Sequence, residues 1–410
     1  MRSLNRRIPS VPRPDQLAVW SAFAVLMFCM AALAPVLAEI RTEFDISFAG
    51  IGFIVAVQGM GRGGFMLLLG SMADRVSARR LLPLGLAATG VATLVVAAAP
   101  NIWILVLGLL AGGLGFGLVA PSAQVHIAQH TQTDQRRRDI GRMMSGGMFG
   151  AFLAPVVAGL LASALGWRSA FVAAALLAFL SAGLISLVRS LEAPRTSDPN
   201  PTPSTTLWSA LEFRRSVLAV SVLAVLVWGW ANATRGIVLP LYGSEELGLG
   251  PDRVGLLLTI TLGGRAVLFF VSGSFVNRFG LVAPLVITCV TGMVGTLILF
   301  APPTTGTYVG LGIAFAFNGL SSPIILMLLA ERAPPHRMGR AVGVTQFLVD
   351  SIGLAMPPII GLILDLAGFS MVGVLLSSMS AVALVWGLRI IRETNPSNGH
   401  GLPTKNQTTH

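Results

Sequence analysis

Residues 61 to 80 read GRGGFMLLLGSMADRVSARR, and residues 264 to 278 read GRAVLFFVSGSFVNR. With a shift of 203, Gly61 and Arg62 fall on Gly264 and Arg265, Gly70 and Ser71 on Gly273 and Ser274, and Asp74 and Arg75 on Asn277 and Arg278. Further along, a shift of 202 brings Gly117 and Pro121 onto Gly319 and Pro323, and Pro155, Gly159 and Gly166 onto Pro357, Gly361 and Gly368. Apolar sequence of low complexity would match at every offset equally well. Agreement of Gly, Pro and Arg at one nearly constant offset therefore marks a duplication.

Each copy holds six apolar runs. In the first they lie at 17 to 38, 47 to 71, 81 to 99, 102 to 125, 143 to 165 and 168 to 189. In the second they lie at 216 to 241, 251 to 275, 282 to 300, 307 to 330, 341 to 365 and 369 to 390. Each is near the twenty or so residues that a helix needs to cross a bilayer. The reading is an all-α membrane protein of twelve transmembrane helices in two pseudo-symmetric six-helix bundles. The N-terminal tail (1–16) is followed by the first bundle (17–189), a linker (190–215), the second bundle (216–392) and a polar tail (393–410). The linker is rich in Pro, Ser and Thr and can neither span nor pack. Composition agrees: 54% of residues are hydrophobic, 46 are glycine and only 11% are charged, under half the charge of a soluble domain.

A net charge of +11 invites a nucleic-acid reading, but the placement of the 28 Lys and Arg residues excludes it. Arg41, Arg168 and Arg253 are alone in the loops of one side, and Arg62, Arg235 and Arg265 lie inside spans; all the others fall on the opposite side. That is the positive-inside pattern, and the longest basic run, Arg136 to Arg138, makes no contiguous nucleic-acid face. It sets both termini and the linker in the cytoplasm. The basic start followed by an apolar run to Ala38 resembles a secretory signal, yet the run from Leu17 is long enough to span, and cleavage would leave the first copy one helix short. Cys29 and Cys289 lie in apolar runs of opposite copies and read as small hydrophobes without a disulfide.

The loop Gly70 to Arg80, GSMADRVSARR, resembles the signature between helices two and three of the major facilitator superfamily. Gly70, Asp74, Arg75, Arg79 and Arg80 stand at that family's spacing, while Ser77 and Ala78 depart from its usual Gly and Arg. The resemblance implies the family's fold and a cytoplasmic latch, with Asp74 held at the N-terminus of the eleventh helix beside Arg340. In the fifth span Gly146, Gly150, Ala154, Pro155, Ala158 and Gly159 resemble the superfamily's antiporter motif, with alanine at two glycine positions. Small residues four apart serve either a rocking interface or simple close packing. Trp167 to Phe171 resembles the family's start of helix six. Two departures stand out. The arginine of helix four in proton-driven antiporters would fall at Gly108 or Leu109, and the first span has no acidic residue before Glu39.

Charges inside spans are expensive unless paired or wet. Arg62 and Arg265 lie eight residues before Gly70 and Gly273, roughly 12 Å from the basic ends of their helices at about 1.5 Å per residue. As symmetry mates they either clamp an anion, as such a pair does in some members that carry oxyanions, or hold the interface between copies. Asp350 lies ten residues beyond Arg340 and comes near the depth of Arg62, as an ion-pair partner or as a proton carrier. Arg235, with Asn232 three residues before it, reads as near the outer third of the seventh span, either snorkelling or lining a vestibule. His126 and His130, near the end of the fourth span, read as polar anchors. No metal-ligand cluster, phosphate loop or nucleophile arrangement is present in the sequence, so neither an enzyme nor a cofactor is expected.

The expected function is secondary transport of a small molecule by alternating access in a bacterial inner membrane, with efflux ahead, in antiporter fashion. Protons are the candidate coupling ion, the partners are the solute and the lipid bilayer, and a monomer is expected. Uptake or exchange of a small organic or inorganic anion by Arg62 and Arg265 is the alternative, and a non-transporting membrane sensor is the third reading.

Overall fold

A computed structural model describes residues 13–130, 133–192, 215–332 and 338–394, and among these every regular element is helical. The membrane helices of the first bundle are α1 (Pro14–Glu43), α2 (Phe48–Leu69), α3 (Ala78–Ala97), α4 (Ile102–His130), α5 (Thr133–Leu165) and α6 (Trp167–Ser186). Those of the second are α7 (Val217–Glu246), α8 (Pro251–Phe279), α9 (Val282–Phe300) and α10 (Thr305–Arg332), then α11 and α12 within Met338–Thr394. Ten segments of the described chain are apolar enough by composition alone to cross a bilayer. The last of them holds both α11 and α12.

The duplication is legible in the backbone. Gly166, between α5 and α6, has φ 83, and its counterpart Gly368, between α11 and α12, has φ 72. Both break a helical run at a conformation that a side chain would strain. A Cβ on Gly117 of α4 would lie 2.5 Å from the Phe65 carbonyl oxygen of α2, and one on Gly319 would lie 2.4 Å from the Arg265 carbonyl oxygen of α8. The same close approach is thus used twice. Ser47 opens α2 by accepting from the Gly50 N–H, and Thr304 opens α10 by accepting from Thr307, satisfying donors that the first turn leaves free.

In the first bundle α1 packs on α5 and α6, α4 on α2 and α3, and α3 on α6. In the second α7 packs on the α11–α12 run, α8 on α10, and α9 on α10 and α12. Leu68, Trp103, Leu176, Val267 and Val385 stand exposed on the outside, an apolar coat that a bilayer covers. The bundles meet along two seams, α2 with α11 and α5 with α8.

Several boundaries differ from the sequence reading, and α1 and α4 each run five residues past their apolar runs, to Glu43 and His130. Helix α5 starts at Thr133, about ten residues earlier than the apolar run, because helix-forming Arg and Gln residues continue the helix beyond hydrocarbon. Helix α7 runs on to Glu246 through π-helical turns at Thr234–Val238 and Tyr242–Glu246.

Candidate functional site: a charged cleft between two seams

The side bearing Arg75, Arg278 and Arg332 is the basic side, and the other the far side. At the far side both seams close to backbone contact. A Cβ on Gly52 of α2 would lie 2.2 Å from the Pro357 carbonyl oxygen of α11, and one on Gly361 would lie 2.1 Å from that of Phe48. In the other seam a Cβ on Gly255 of α8 would lie 2.1 Å from the Pro155 carbonyl oxygen, and one on Gly159 would lie 2.2 Å from that of Pro251. The two seams are copies of each other, since the repeat relates Gly52 to Gly255 and Gly159 to Gly361.

Toward the basic side the seams part. Thr259 donates to the Phe152 carbonyl at 3.1 Å; beyond it Met148, Phe149, Phe270 and Val271 are exposed. In the α2–α11 seam nothing lies within 4 Å of a Cβ built on Gly63, Gly64 or Gly353, and Met66 and Phe347 are exposed. A cleft therefore opens to the basic side and ends in the middle of the molecule.

Two of the charges within spans meet there. An Arg62 Nη donates to Asp350 Oδ1 at 3.4 Å, and Gln346 Nε2 donates to the same oxygen at 3.1 Å. Arg62 and Asp350 are 40% and 41% exposed, so water reaches the pair and its net contribution is about 1 kcal/mol or less. Such a pair exchanges partners easily. Arg62 also lies 5.6 Å from the centre of the Phe116 ring, and Arg265 lies 5.3 Å from that of Phe315, each over an aromatic face of its own bundle. Helix α7 runs on past Arg235 to Glu246, which sets Arg235 nearer the middle of its helix than the outer-third position read from the sequence. Asn232, a turn earlier, is exposed.

The remaining sequence candidates distribute as follows. Gly70 ends α2, its N–H donating to the Met66 carbonyl, and Met72–Arg75 forms a short helical turn after which Arg79 and Arg80 begin α3. The side chains of Asp74 and Arg340 lie outside the described residues, and so does their expected contact; the same holds for the side chain of His130. The fifth-helix motif divides between two partners: Gly146 and Gly150 face the Trp20 and Ala24 carbonyls of α1 within the bundle, whereas Pro155 and Gly159 face α8 across the seam. His126 is buried 3.3 Å from Asp15 Oδ2, an anchor between α4 and α1. A Cβ on Gly108 would meet Val96 at 2.8 Å, so the helix-four position is filled by packing with α3.

Several contacts between the bundles were not anticipated from the sequence. Arg41 donates through Nε and an Nη to both carboxylate oxygens of Glu245, each at 2.8 Å. Asp365 of α11 accepts from the Phe48 and Ala49 N–H groups at 2.9 and 2.8 Å, so it caps the positive end of α2 across the seam. The available signal for the seam was the Gly52–Gly255 match at the repeat offset.

Duplicated bundles, sealed at one end around a charged cleft, define a polytopic membrane protein of two pseudo-symmetric domains. The Major Facilitator Superfamily profile matches residues 19–356, and the chain belongs to that family. Part of the chain is 34% identical to the transporter YgaY of Escherichia coli O157:H7, over 40% of this chain and 43% of that one. The chain thus spans less than half the length of that relative. Over longer stretches it is 28% identical to the class G tetracycline resistance protein of Vibrio anguillarum, covering 72% of this chain and 75% of that one. It is 23% identical to the drug efflux pump JefA of Mycobacterium tuberculosis strain H37Rv, covering 75% and 71%. Among solved structures a point mutant of the nucleoside transporter NupG superposes with TM-score 0.75 at 15% identity over 92% of this chain and 99% of that one. A bacterial homologue of the lysosomal transporter Spinster superposes with TM-score 0.69 at 16% identity over 94% of each chain. At such identities the structures speak to the fold.

Proposed function

We propose that the protein is a secondary transporter that moves a small solute by alternating access, with the basic side in the cytoplasm of a bacterial cell. The observation that carries this reading is the asymmetry of the seams: the same four helices are in backbone contact at the far side and apart at the basic side. Rocking the bundles about the middle of α2, α5, α8 and α11 exchanges one opening for the other. Export is the direction we assign, supported by the fifth-helix motif, whose Pro155 and Gly159 lie on a moving seam, and by relatives named for drug efflux and tetracycline resistance. The Arg62–Asp350 pair bridges the bundles at the depth of the cleft and is the coupling element, with a proton on Asp350 as the exchanged ion.

Double electron–electron resonance tests the cycle without knowledge of the solute. With Cys29 and Cys289 replaced by alanine, spin labels at Thr42→Cys and Arg253→Cys report the far side, and labels at Ser71→Cys and Phe279→Cys report the basic side. Two populations are expected, in which the far-side distance lengthens as the basic-side distance shortens. A single population at both pairs, unmoved by ligand or pH, would overturn the reading.

A further inference from the structure

One set of buried positions changes from apolar to polar across the repeat. At the offset of 202, Phe28, Leu86, Phe116 and Ala178 of the first bundle correspond to Trp230, Thr288, Asn318 and Ser380 of the second. The same offset matches Gly90 to Gly292, and each leaves room for the last helix of its bundle: a Cβ there would lie 2.9 Å from the Phe179 ring of α6 and 3.0 Å from the Ser380 hydroxyl of α12. Trp230, Thr288, Asn318 and Ser380 come from α7, α9, α10 and α12, and all four line one small cavity in the core of the second bundle. Asn318 and Trp230 are only 1% and 3% exposed. Polar groups so placed are costly to bury unless each finds a hydrogen-bond partner.

Most of them find one within the chain. Thr288 donates to the Phe317 carbonyl at 3.2 Å, and Asn318 Nδ2 donates to the Val227 carbonyl of α7 at 3.1 Å. The Ser321 hydroxyl donates to the Asn318 carbonyl, and that of Ser380 to the Leu376 carbonyl. These bonds surround a break, since Asn318–Ser321 is a 3-10 turn in the middle of α10, whereas the matching residues of α4 stay α-helical. Where a helix tightens in this way its own ladder loses register, and here two hydroxyls bond carbonyls at the break. Two atoms lining the cavity have no protein partner among the described residues, Asn318 Oδ1 and the indole nitrogen of Trp230. The Val227 carbonyl fixes the amide with its nitrogen toward α7, so the oxygen left over is an acceptor, while the indole nitrogen can only donate.

We propose that Trp230, Asn318 and Ser380 bind one ordered water in the core of the second bundle, and that this water completes the joint at which α10 breaks. Water is the ligand that fits, because the cavity has room for about one such molecule. The site offers one donor, the indole N–H, and two acceptors, Asn318 Oδ1 and the Ser380 hydroxyl oxygen, and about three hydrogen bonds are usual for a buried water. The joint lies against the charge of its own bundle. A Cβ on Gly319 would lie 2.4 Å from the Arg265 carbonyl oxygen, and Phe315, one turn before Asn318, carries the Arg265 guanidinium over its ring. In the first bundle the position of Asn318 is held by Phe116, which itself lies under Arg62. The two copies therefore seat their arginines differently, on a continuous helix in one and beside a hydrated break in the other. Such a site exists whether or not the bundles rock.

Radiolytic hydroxyl-radical labelling of the purified protein tests the site, because radicals formed from a bound water oxidise the side chains beside it, whereas radicals from bulk solvent do not reach a buried core. Trp230 and Cys289 both line the cavity. Met143, fully buried in an apolar cluster of the first bundle, is the dry reference, with rates corrected for the reactivity of each side-chain type. In the wild type, oxidation of Trp230 and Cys289 is expected well above that of Met143. Asn318→Leu removes the acceptor, and both labels are expected to fall to the Met143 level. Trp230→Phe removes the indole N–H while keeping an aromatic ring, so it carries the test if Asn318→Leu does not fold; there the Cys289 label is expected to fall in the same way. Protection of Trp230 and Cys289 equal to that of Met143 in the wild type would show a dry cavity and overturn the proposal. Labels that persist undiminished in either variant would overturn it too, since the water would then be held by other groups.

Discussion

The far and basic halves of α2, α5, α8 and α11 are built from similar residues and do different things. In the far halves, glycines at 52, 159, 255 and 361 bring backbones of opposite bundles into contact, and charged or polar groups of one bundle reach the other at Arg41–Glu245 and at Asp365. In the basic halves, Gly63, Gly64, Gly273 and Gly353 face open space. Glycine content alone does not make a seam. A seam requires glycines on both helices at the same height, flanked by a partner that fixes the register, and the proline carbonyls of Pro155 and Pro357 supply that partner.

The largest effect is expected from filling the far seam. Gly52→Leu drives a side chain into the Pro357 carbonyl, at a cost of about 1 to 3 kcal/mol for overpacking, and therefore shifts the far-side resonance distances toward the open population by about tenfold or more. Gly64→Leu in the basic half of the same helix leaves the far-side distances as in the wild type. A matching shift in both variants would erase the distinction between the halves.

A smaller effect is expected at the Arg41–Glu245 pair, which is bidentate and mostly shielded, with side chains 28% and 23% exposed. Glu245→Gln should favour far-side opening by about fivefold, corresponding to about 1 kcal/mol, and the shift should shrink at high salt. Asp365→Asn keeps an acceptor near the start of α2 and loses the charge against the helix dipole, worth about 0.3 to 1 kcal/mol; about a two- to fivefold shift in the same direction is expected. The smallest effect is a control. Arg168 bonds to Glu43 at 2.6 Å and Trp167 bonds to the same carboxylate, also at the far side but wholly within the first bundle. Arg168→Ala should leave the opening equilibrium unchanged within about 0.5 kcal/mol. A large shift there would show that the first bundle itself deforms, against rigid-body rocking.

Some of this architecture was readable from composition and spacing. The spans follow from the length of uncharged runs, and Arg62 and Arg265 announce themselves as charges where charge is costly. The Arg62–Asp350 contact was readable as one of two options, because depth along two helices can be counted at a constant rise. Arg235 was harder. Its depth depends on where α7 ends and on a π-helical turn, and hydropathy carries no signal for either. The fifth-helix motif was legible as small residues, but its division between α1 and α8 was not, since four-residue spacing names a face and no neighbour.

The sequence by itself determined a doubled set of membrane helices and the identity of the ionisable groups within it, because hydrophobicity, period and repeat are properties of neighbouring residues. Tertiary structure decided which end of the seams is closed, that Asp365 caps a helix begun 317 residues earlier, and that Arg41 pairs with Glu245 across the bundles. Those facts depend on how two rigid bundles are tilted against each other, and a tilt is a relation between segments that no local stretch of chain encodes.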